Sequence, residues 1–415
     1  MRFFLFSLFL ATPLAAQQGS PLPDQEEGYE HLERFIHLLE EVRAHHPEAD
    51  KVTYERLINH ALEGMVGSLD RFSAFYHPET ARHLDLESED PSEALTLPSL
   101  GLSLAEKEGH IELARVWEHS AAAQGGLLDG DILLRVDGVA PAEGDLLAAR
   151  TALSAPPGQA VVVTVLRPAS NLEVEATLLP RVVKERALPE AFLLTDQGAP
   201  TTGYARLGEF SATAARELGA ALDDLEDQGM KALILDLRGN PGGLLTSAVE
   251  ILGLFLPPDS EVVTTRGRSP QAQTPALRTP ARQRVQRSYP LAVLIDRHSA
   301  SASELVAGAL QDLARGTIVG ETSFGKGSVQ NVVGQAGGTA LRLTFATYHT
   351  PSGRTPHEVG ISPDLAINLS ERDRQLFDLF RLRHQADPAT LLPLASWKDP
   401  VLSAALELLK SENNE

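Results

Sequence analysis

Apolar positions change their period along the chain, and each change marks off a region. From Glu26 to about Leu86 they recur at helical spacing, first as Leu32, Phe35, Ile36, Leu39 and Val42, then as Tyr54, Leu57, Ile58, Leu62 and Met65, which predicts a small helical packing region. The acidic, proline-containing stretch from Glu87 to Glu93 reads as a linker. From about Leu95 to Val183 the period shifts toward two. Leu100-Gly101-Leu102-Ser103-Leu104 alternates, Gly125 to Asp131 turns tightly into a strand ending near Val136, and Ala160 to Leu166 is a strong strand. A small β-rich domain is expected there. From Lys184 onward, short apolar runs alternate with helix-period segments, the signature of an α/β domain. Lys231 to Asp236 follows an amphipathic helix over Ala212 to Gln228, and Leu291 to Ile295 precedes a helix with Leu305, Val306, Ala309, Leu310 and Leu313 apolar. Thr317 to Val319 and Thr339 to Tyr348 add two more strands. Arg266 to Arg287, with six arginines, three prolines and no period, is expected to be an exposed loop, and Leu376 to Glu415 a packing or dimer helix.

Composition narrows this picture. A chain of 415 residues is long enough for two or three domains. Its formal charge of −20 argues against nucleic acid or anionic lipid as a partner. The absence of cysteine excludes disulfides and thiol catalysis, and the 13 histidines form no evident metal motif. Met1 to Ala16 has one cation at Arg2, an apolar run from Phe3 to Leu10 and small residues at Ala15 and Ala16. It reads as a secretory signal peptide, too short to span a bilayer.

Three turns in the α/β region carry candidate chemistry. The turn after Leu291–Ile295 places Ser301 at the start of a helix. Ser301-Ala302-Ser303-Glu304 fits a capping box, so Ser301 could serve only as a cap. A helix N-terminus also favours negative charge, so the same position suits a nucleophile whose substrate develops an oxyanion. The loop Thr322-Ser323-Phe324-Gly325-Lys326-Gly327 offers an amine. A lysine acts as a base only where its pKa lies well below the ordinary value of about 10.4, as burial would achieve; otherwise this is a glycine-rich surface hairpin. Gln330, four residues on, shares a strand face with Lys326. The third turn, Leu237-Arg238-Gly239-Asn240-Pro241-Gly242-Gly243, is either an ordinary strand-to-helix turn or a cradle of N–H donors.

Taken together, these motifs resemble the catalytic region of the carboxyl-terminal processing proteases, the tail-specific Ser/Lys peptidases. The resemblance makes Ser301, within Ser299-Ala300-Ser301-Ala302-Ser303-Glu304, the nucleophile and Lys326, twenty-five residues on, the base. It makes Gln330 the residue that positions Lys326, and Asp312, eleven past the serine, a supporting residue. The Asp236-Leu237-Arg238 turn resembles the family's oxyanion turn, whose donors are assigned to the N–H groups of Gly242, in preference to Gly243, and of Ala302. The β-rich region resembles a PDZ domain with a helix near Asp145 to Leu153, and Leu100, Gly101 and Leu102 are assigned to its carboxylate-binding loop. Gly64 to Asp70 is similar to a segment preceding that domain. The family continues it with Pro-His-Ser, whereas here Arg71-Phe72-Ser73 follows, a departure expected to leave catalysis untouched.

The resemblance implies a multidomain α/β protein. Its parts are a signal peptide over 1–16, an N-terminal helical region over 17–92 and a PDZ domain over 93–183. A crotonase-like Ser/Lys protease core follows over 184–368, with C-terminal helices over 369–415. The expected activity is a serine endopeptidase of the periplasm or cell envelope that takes proteins by their apolar C-termini and needs no metal or cofactor. An activating adaptor protein and a homo-oligomer formed through the terminal helices are compatible with this reading. Two rivals stand beside it. One is a silent PDZ scaffold, or a protease inactive until a partner binds. The other is a hydrolase with His298 as base, three residues before Ser301.

Overall fold

The computed structural model describes residues 28–81, 96–97, 100–107, 109–117, 120–141, 146–154, 158–168, 170–180, 187–194, 201–268, 272, 275–281, 287–383 and 391–412. The signal-peptide segment and the acidic linker lie outside the described residues. The chain opens with α1 (Gly28–His45) and α2 (Tyr54–Gly67). Thr53 caps α2 by accepting the Arg56 N–H at 3.3 Å. The helical prediction ends there, because β1 (Ala74–Tyr76) and the single turn α3 (Pro78–Ala81) follow. No residue of α1 is buried, and its apolar stripe, with Leu32, Phe35 and Ile36, faces solvent.

The β-rich region forms one six-stranded sheet in the order β2-β3-β4-β5-β6-β7. Its strands are β2 (Thr96–Leu97), β3 (Leu102–Lys107), β4 (His110–Val116), β5 (Ile132–Val136), β6 (Val161–Arg167) and β7 (Leu172–Leu178). Helices α4 (Ala121–Gln124) and α5 (Leu146–Leu153) complete it. Alternation delivers one face of each strand to a common core: Leu102 and Leu104, Ile111 and Leu113, Val163 and Val165 are all buried, together with Leu127 and Leu153. Asp131 stays in that apolar setting because Arg167 pairs with it at 2.7 Å.

The α/β region is built on a second six-stranded sheet. It contains β8 (Glu190–Leu194), β9 (Thr202–Arg206), β10 (Ala232–Asp236), β13 (Leu291–Ile295), β14 (Thr317–Gly320) and β17 (Leu365–Ala366). Their order is β17-β14-β13-β10-β9-β8, with only β8 antiparallel. Every residue of β9, β10 and β13 is buried, as a parallel sheet covered on both faces requires. On one face lie α6 (Ala214–Asp227), α7 (Leu245–Leu252) and α8 (Ala302–Asp312). On the other, Val401, Ala405 and Leu409 of α10 (Pro400–Glu412) pack on Ile234, Leu294 and Val319. The C-terminal region therefore covers the sheet. It begins as α9 (Glu371–Arg381) and breaks before α10.

A third sheet runs beside the α/β core. Its long central strand β16 (Ala340–His349) carries β15 (Ser328–Gly334) along one edge. The other edge is shared between β1 and β11 (Glu261–Gly267), and β11 pairs in turn with β12 (Leu277–Arg278). The arginine-rich stretch is thus not wholly an exposed loop: it supplies β12 and buries Ala272 and Arg287. Arg287 is held by ion pairs to Glu226 at 2.6 Å and to Asp223.

Candidate active site

Two turns at the C-terminal ends of adjacent parallel strands meet here, the position where open α/β sheets place their sites. The turn after β10 runs from Leu237 to Gly243 and the turn after β13 from Asp296 to Ser301. Hydrogen bonds zip them together. Asp296 accepts the Gly239 N–H at 2.9 Å, the Asn240 carbonyl accepts the Ala300 N–H at 3.0 Å and the Ser303 hydroxyl at 2.9 Å, and the Ser299 hydroxyl donates to the Leu237 carbonyl at 2.8 Å.

Ser301 sits at the end of this junction with φ 54° and ψ −113°. A serine at positive φ costs on the order of 1–3 kcal/mol and persists only where its surroundings impose it. The α8 helix behind it is buried at every residue from Ala302 to Leu310. Its N-terminal dipole therefore acts in an apolar setting, where charge interactions are strongest.

Glu304 imposes the geometry. It is fully buried, and Oε2 accepts the Ser301 N–H at 2.9 Å and the Lys326 N–H at 2.8 Å. Those two bonds bring the Ser301 and Lys326 amide nitrogens within about 6 Å of one another. Oε1 accepts the Gly325 N–H at 2.7 Å and the Ser323 hydroxyl at 2.5 Å. Burial pushes the Glu304 carboxyl above the usual carboxylate range, against the pull of these four donors. The Phe324 N–H adds a bond to the Ser299 carbonyl at 3.0 Å. The sequence identified Glu304 only as a cap. Its donors from the lysine loop lie 19 to 22 positions away, beyond the reach of any local pattern.

The turn after β10 departs from expectation in one donor. The Gly242 N–H donates to Asn240 Oδ1 at 2.9 Å, so it is already engaged. The pairing of this turn with Phe210 uses the Gly242 carbonyl and the Leu244 N–H, and leaves the Gly243 N–H outside it. Gly242 must nonetheless be glycine. Its φ is 109°, and a Cβ there would come 2.8 Å from Ser301 Cβ and 3.0 Å from the Ala302 nitrogen.

Gln330 lies on β15, where its amide donates to Ser328 Oγ at 2.5 Å and to Thr344 Oγ1 at 3.4 Å. Thr344 donates in turn to Asp70, which also accepts the Phe72 and Ser73 N–H groups at 2.8 Å. The N-terminal segment thus reaches this site. Arg71 donates to the Phe324 carbonyl at 2.6 Å and lies over the Phe72 and Phe324 rings, 4.8 and 4.5 Å from their centroids. The Arg71-Phe72-Ser73 departure, expected to lie apart from catalysis, braces the loop that carries Lys326.

Other predicted residues sit elsewhere. Asp312 is at the far end of α8, about 16 Å along the helix from Ser301. Burial pushes its carboxyl up, and hydrogen bonds from Thr350, Ser352 and Arg354 more than reverse this, leaving it below the usual range. It fastens the Thr350–Arg354 turn. The His298 ring nitrogen Nε2 accepts from Arg297 at 3.0 Å, and the side chain lines a small cavity with Asp296, Arg374, Phe377 and Asp378. Burial lowers its pKa. In the β-rich domain, Leu100 and Leu102 are buried in the core, leaving only backbone for a ligand, and Gly101 has φ 71°. β2 pairs with β3 at Leu97↔Leu102 and Thr96↔Ser103. The chain's own backbone therefore occupies the edge to which a peptide strand would add.

Comparison with known proteins gives this arrangement its place. The profile of peptidase family S41 matches residues 201–367, and a PDZ profile matches residues 113–167. A carboxy-terminal-processing protease of Bartonella bacilliformis is 33% identical over 374 residues, covering 88% of this chain and 82% of its own. A carboxyl-terminal-processing protease of Synechocystis is 34% identical over 309 residues, covering 74% and 70%. A solved photosystem II D1 C-terminal processing protease shares the fold at TM-score 0.60 and 24% identity, over 88% of this chain and 97% of that one. The class is therefore a serine-type peptidase with a PDZ domain. Within it, the chain belongs to the carboxyl-terminal processing proteases of peptidase family S41.

Proposed function

We propose that this protein cleaves polypeptides with a Ser301/Lys326 dyad after its PDZ domain has engaged their apolar C-termini. The observation that carries the reading is the Glu304 carboxylate, which holds the strained nucleophile position and the lysine loop on one oxygen. Ser301 Oγ attacks the scissile carbonyl, Lys326 takes the hydroxyl proton and hands it to the leaving amine, and water then releases the acyl group. The Ala302 N–H and the Gly243 N–H hold the developing oxyanion, a choice supported by the engagement of Gly242 with Asn240. Gln330 serves as a positioning residue, and Asp312 supports the fold by fastening the Thr350–Arg354 turn. The backbone of Leu100, Gly101 and Leu102 receives the substrate carboxylate. The pairing of β2 with that edge favours a second arrangement, in which a partner or substrate must displace β2 before the enzyme works.

Residues 1–16 support export to the periplasm or cell envelope. Among the described residues no helix is long and apolar enough to cross a membrane. The exposed apolar stripe of α1 supports self-association there. The domains proposed are 17–92, 93–183, 184–368 and 369–415; the six-stranded sheet β2–β7 falls within the second, while β1 of the first pairs with β16 of the third.

The test is cleavage of an unfolded protein with an apolar C-terminus. Ser301→Ala and Lys326→Ala should each lower kcat by roughly four orders of magnitude. Charged residues at the substrate's tail should slow the wild-type enzyme. Undiminished cleavage by Lys326→Ala would remove it from the dyad and return His298 as a base. Tail binding without cleavage by any variant would favour the scaffold.

A further inference from the structure

A second cluster of chemically active side chains lies outside the site just described. His60 and Glu63 are one turn apart on α2, so they share a helix face. The chain then returns through β1 and brings His77 to the same place. Glu63 Oε2 lies 3.2 Å from His60 Nδ1 and 3.4 Å from His77 Nε2. One ligand atom from each residue lies within 4.8 Å of the other two. The two rings meet edge to face at 5.6 Å, and His77 also rests edge-on against Phe75 at 5.8 Å.

An ordinary surface ion pair explains this cluster poorly. Exposed ion pairs contribute little. Two imidazoles aimed at one carboxylate oxygen match a different object. In a tetrahedral zinc site with bonds of about 2.0–2.1 Å, neighbouring ligand atoms stand about 3.3 Å apart. The two spacings to Glu63 fit that edge, and the side chains are open to solvent, so an ion can enter.

We propose that His60, Glu63 and His77 bind one divalent transition-metal ion, zinc foremost, with water completing the coordination. Two imidazoles and a carboxylate select zinc, copper or nickel over magnesium and calcium. The ion closes the segment between α2 and β1, which carries Asp70, Arg71 and Phe72. It therefore fastens the brace that holds the loop of Lys326.

The experiment uses zinc alone, added to chelator-stripped, full-length Ser301→Ala protein and followed by calorimetry, so it does not depend on the protease reading. One equivalent should bind, and hydrogen exchange across residues 64–77 should slow. His60→Ala, His77→Ala and Glu63→Gln should each weaken binding roughly tenfold or more, since even second-shell changes cost that much. His60 and Glu63 are exposed and His77 is half-buried, and circular dichroism confirms that the variants fold. Absence of saturable binding would overturn the proposal. So would binding that survives in the His60→Ala/His77→Ala double variant, which would move the ion to His31, His37, His45 or His46. Cobalt offers an independent check: a tetrahedral visible spectrum is expected in the parent and absent from the double variant.

Discussion

Ser301 keeps its positive φ because Glu304 accepts its N–H from one side while Asn240 accepts the neighbouring Ala300 N–H from the other. Glu304→Gln tests this arrangement. A carboxylate is acceptor-only at both oxygens, whereas an amide has one NH2 group. Whichever way that group turns, it faces two donors, either Ser301 and Lys326 or Ser323 and Gly325. In the second orientation the Ser323 hydroxyl can turn to accept, so at least the Gly325 N–H loses its acceptor, which costs about 1–3 kcal/mol of stability, and kcat should fall roughly a hundredfold as the proposed dyad loosens. Denaturant melts and steady-state kinetics measure both; lost stability with an unchanged kcat would reduce Glu304 to a structural cap. The candidate serine and lysine were legible in the sequence, because each sits in a short motif at a fixed spacing. The bracket between them was not, because it depends on a turn from one strand meeting a loop from another. Nor could sequence distinguish Gly242 from Gly243 as donor. That depends on which way a peptide plane faces, and the Asn240 contact, which engages the Gly242 N–H, is what supports the proposal of Gly243.

At the scale of elements, the apolar runs translated well. The predicted run Leu291–Ile295 is β13, residues 231–236 became β10 at Ala232–Asp236, and the helix over 212–228 became α6 at Ala214–Asp227. Buried parallel strands are read easily because both faces are apolar. β1 was missed because it is three residues long and pairs with a strand whose matching residue Arg342 follows Ala74 by most of the chain. β2 was missed for a similar reason: two residues carry no period. The missed β1 matters for the proposed mechanism, since it anchors the segment whose Arg71 grips the Phe324 carbonyl. Arg71→Ala should lower kcat about tenfold through displacement of the Lys326 loop. KM and the melting temperature should change little, because Arg71 is exposed and belongs to no core. Arg71→Lys should restore less than half of the loss, since an ammonium cannot stack flat on Phe72 and Phe324. Parallel changes in KM and kcat, or full rescue by lysine, would count against a positioning role.

Across the whole molecule, the order of regions was visible as a change of period, but the joint between PDZ and protease domains was not. That joint is polar and buried. Arg381 of α9 donates to Asp129 of the PDZ domain at 2.8 Å and to Asp378 at 2.9 Å, while Leu382 enters the PDZ core. Arg115 of β4 donates to the Gly239 carbonyl, so the PDZ sheet touches the turn that faces Ser301. Isolated charges in a sequence look like surface, and only the fold shows two carboxylates sharing one guanidinium. The consequence is a dependence on pH. Burial and the nearby Asp129 charge push Asp378 up to about 7, against the pull of Arg381, with Asp296 adding to the rise. Arg238, Arg297, His298, Glu321 and Arg374 line the adjoining cavity. A folded-state pKa above the unfolded value of 3.8 means that the native protein holds a proton the unfolded chain has released. The stability from this group is therefore complete below about pH 4, declines as pH rises toward 7, and is gone above it. Asp378→Asn keeps the carbonyl acceptor for Arg381 and cannot ionise. Relative to wild type, the variant should gain melting temperature at pH 8 and keep less than half of that advantage at pH 5. Because Arg381 also packs over Gly239, cleavage by the wild-type enzyme should fall off at high pH more steeply than cleavage by the variant. If wild type and variant follow parallel curves from pH 5 to 8, Asp378 carries no proton at this joint and the domain contact is insensitive to pH.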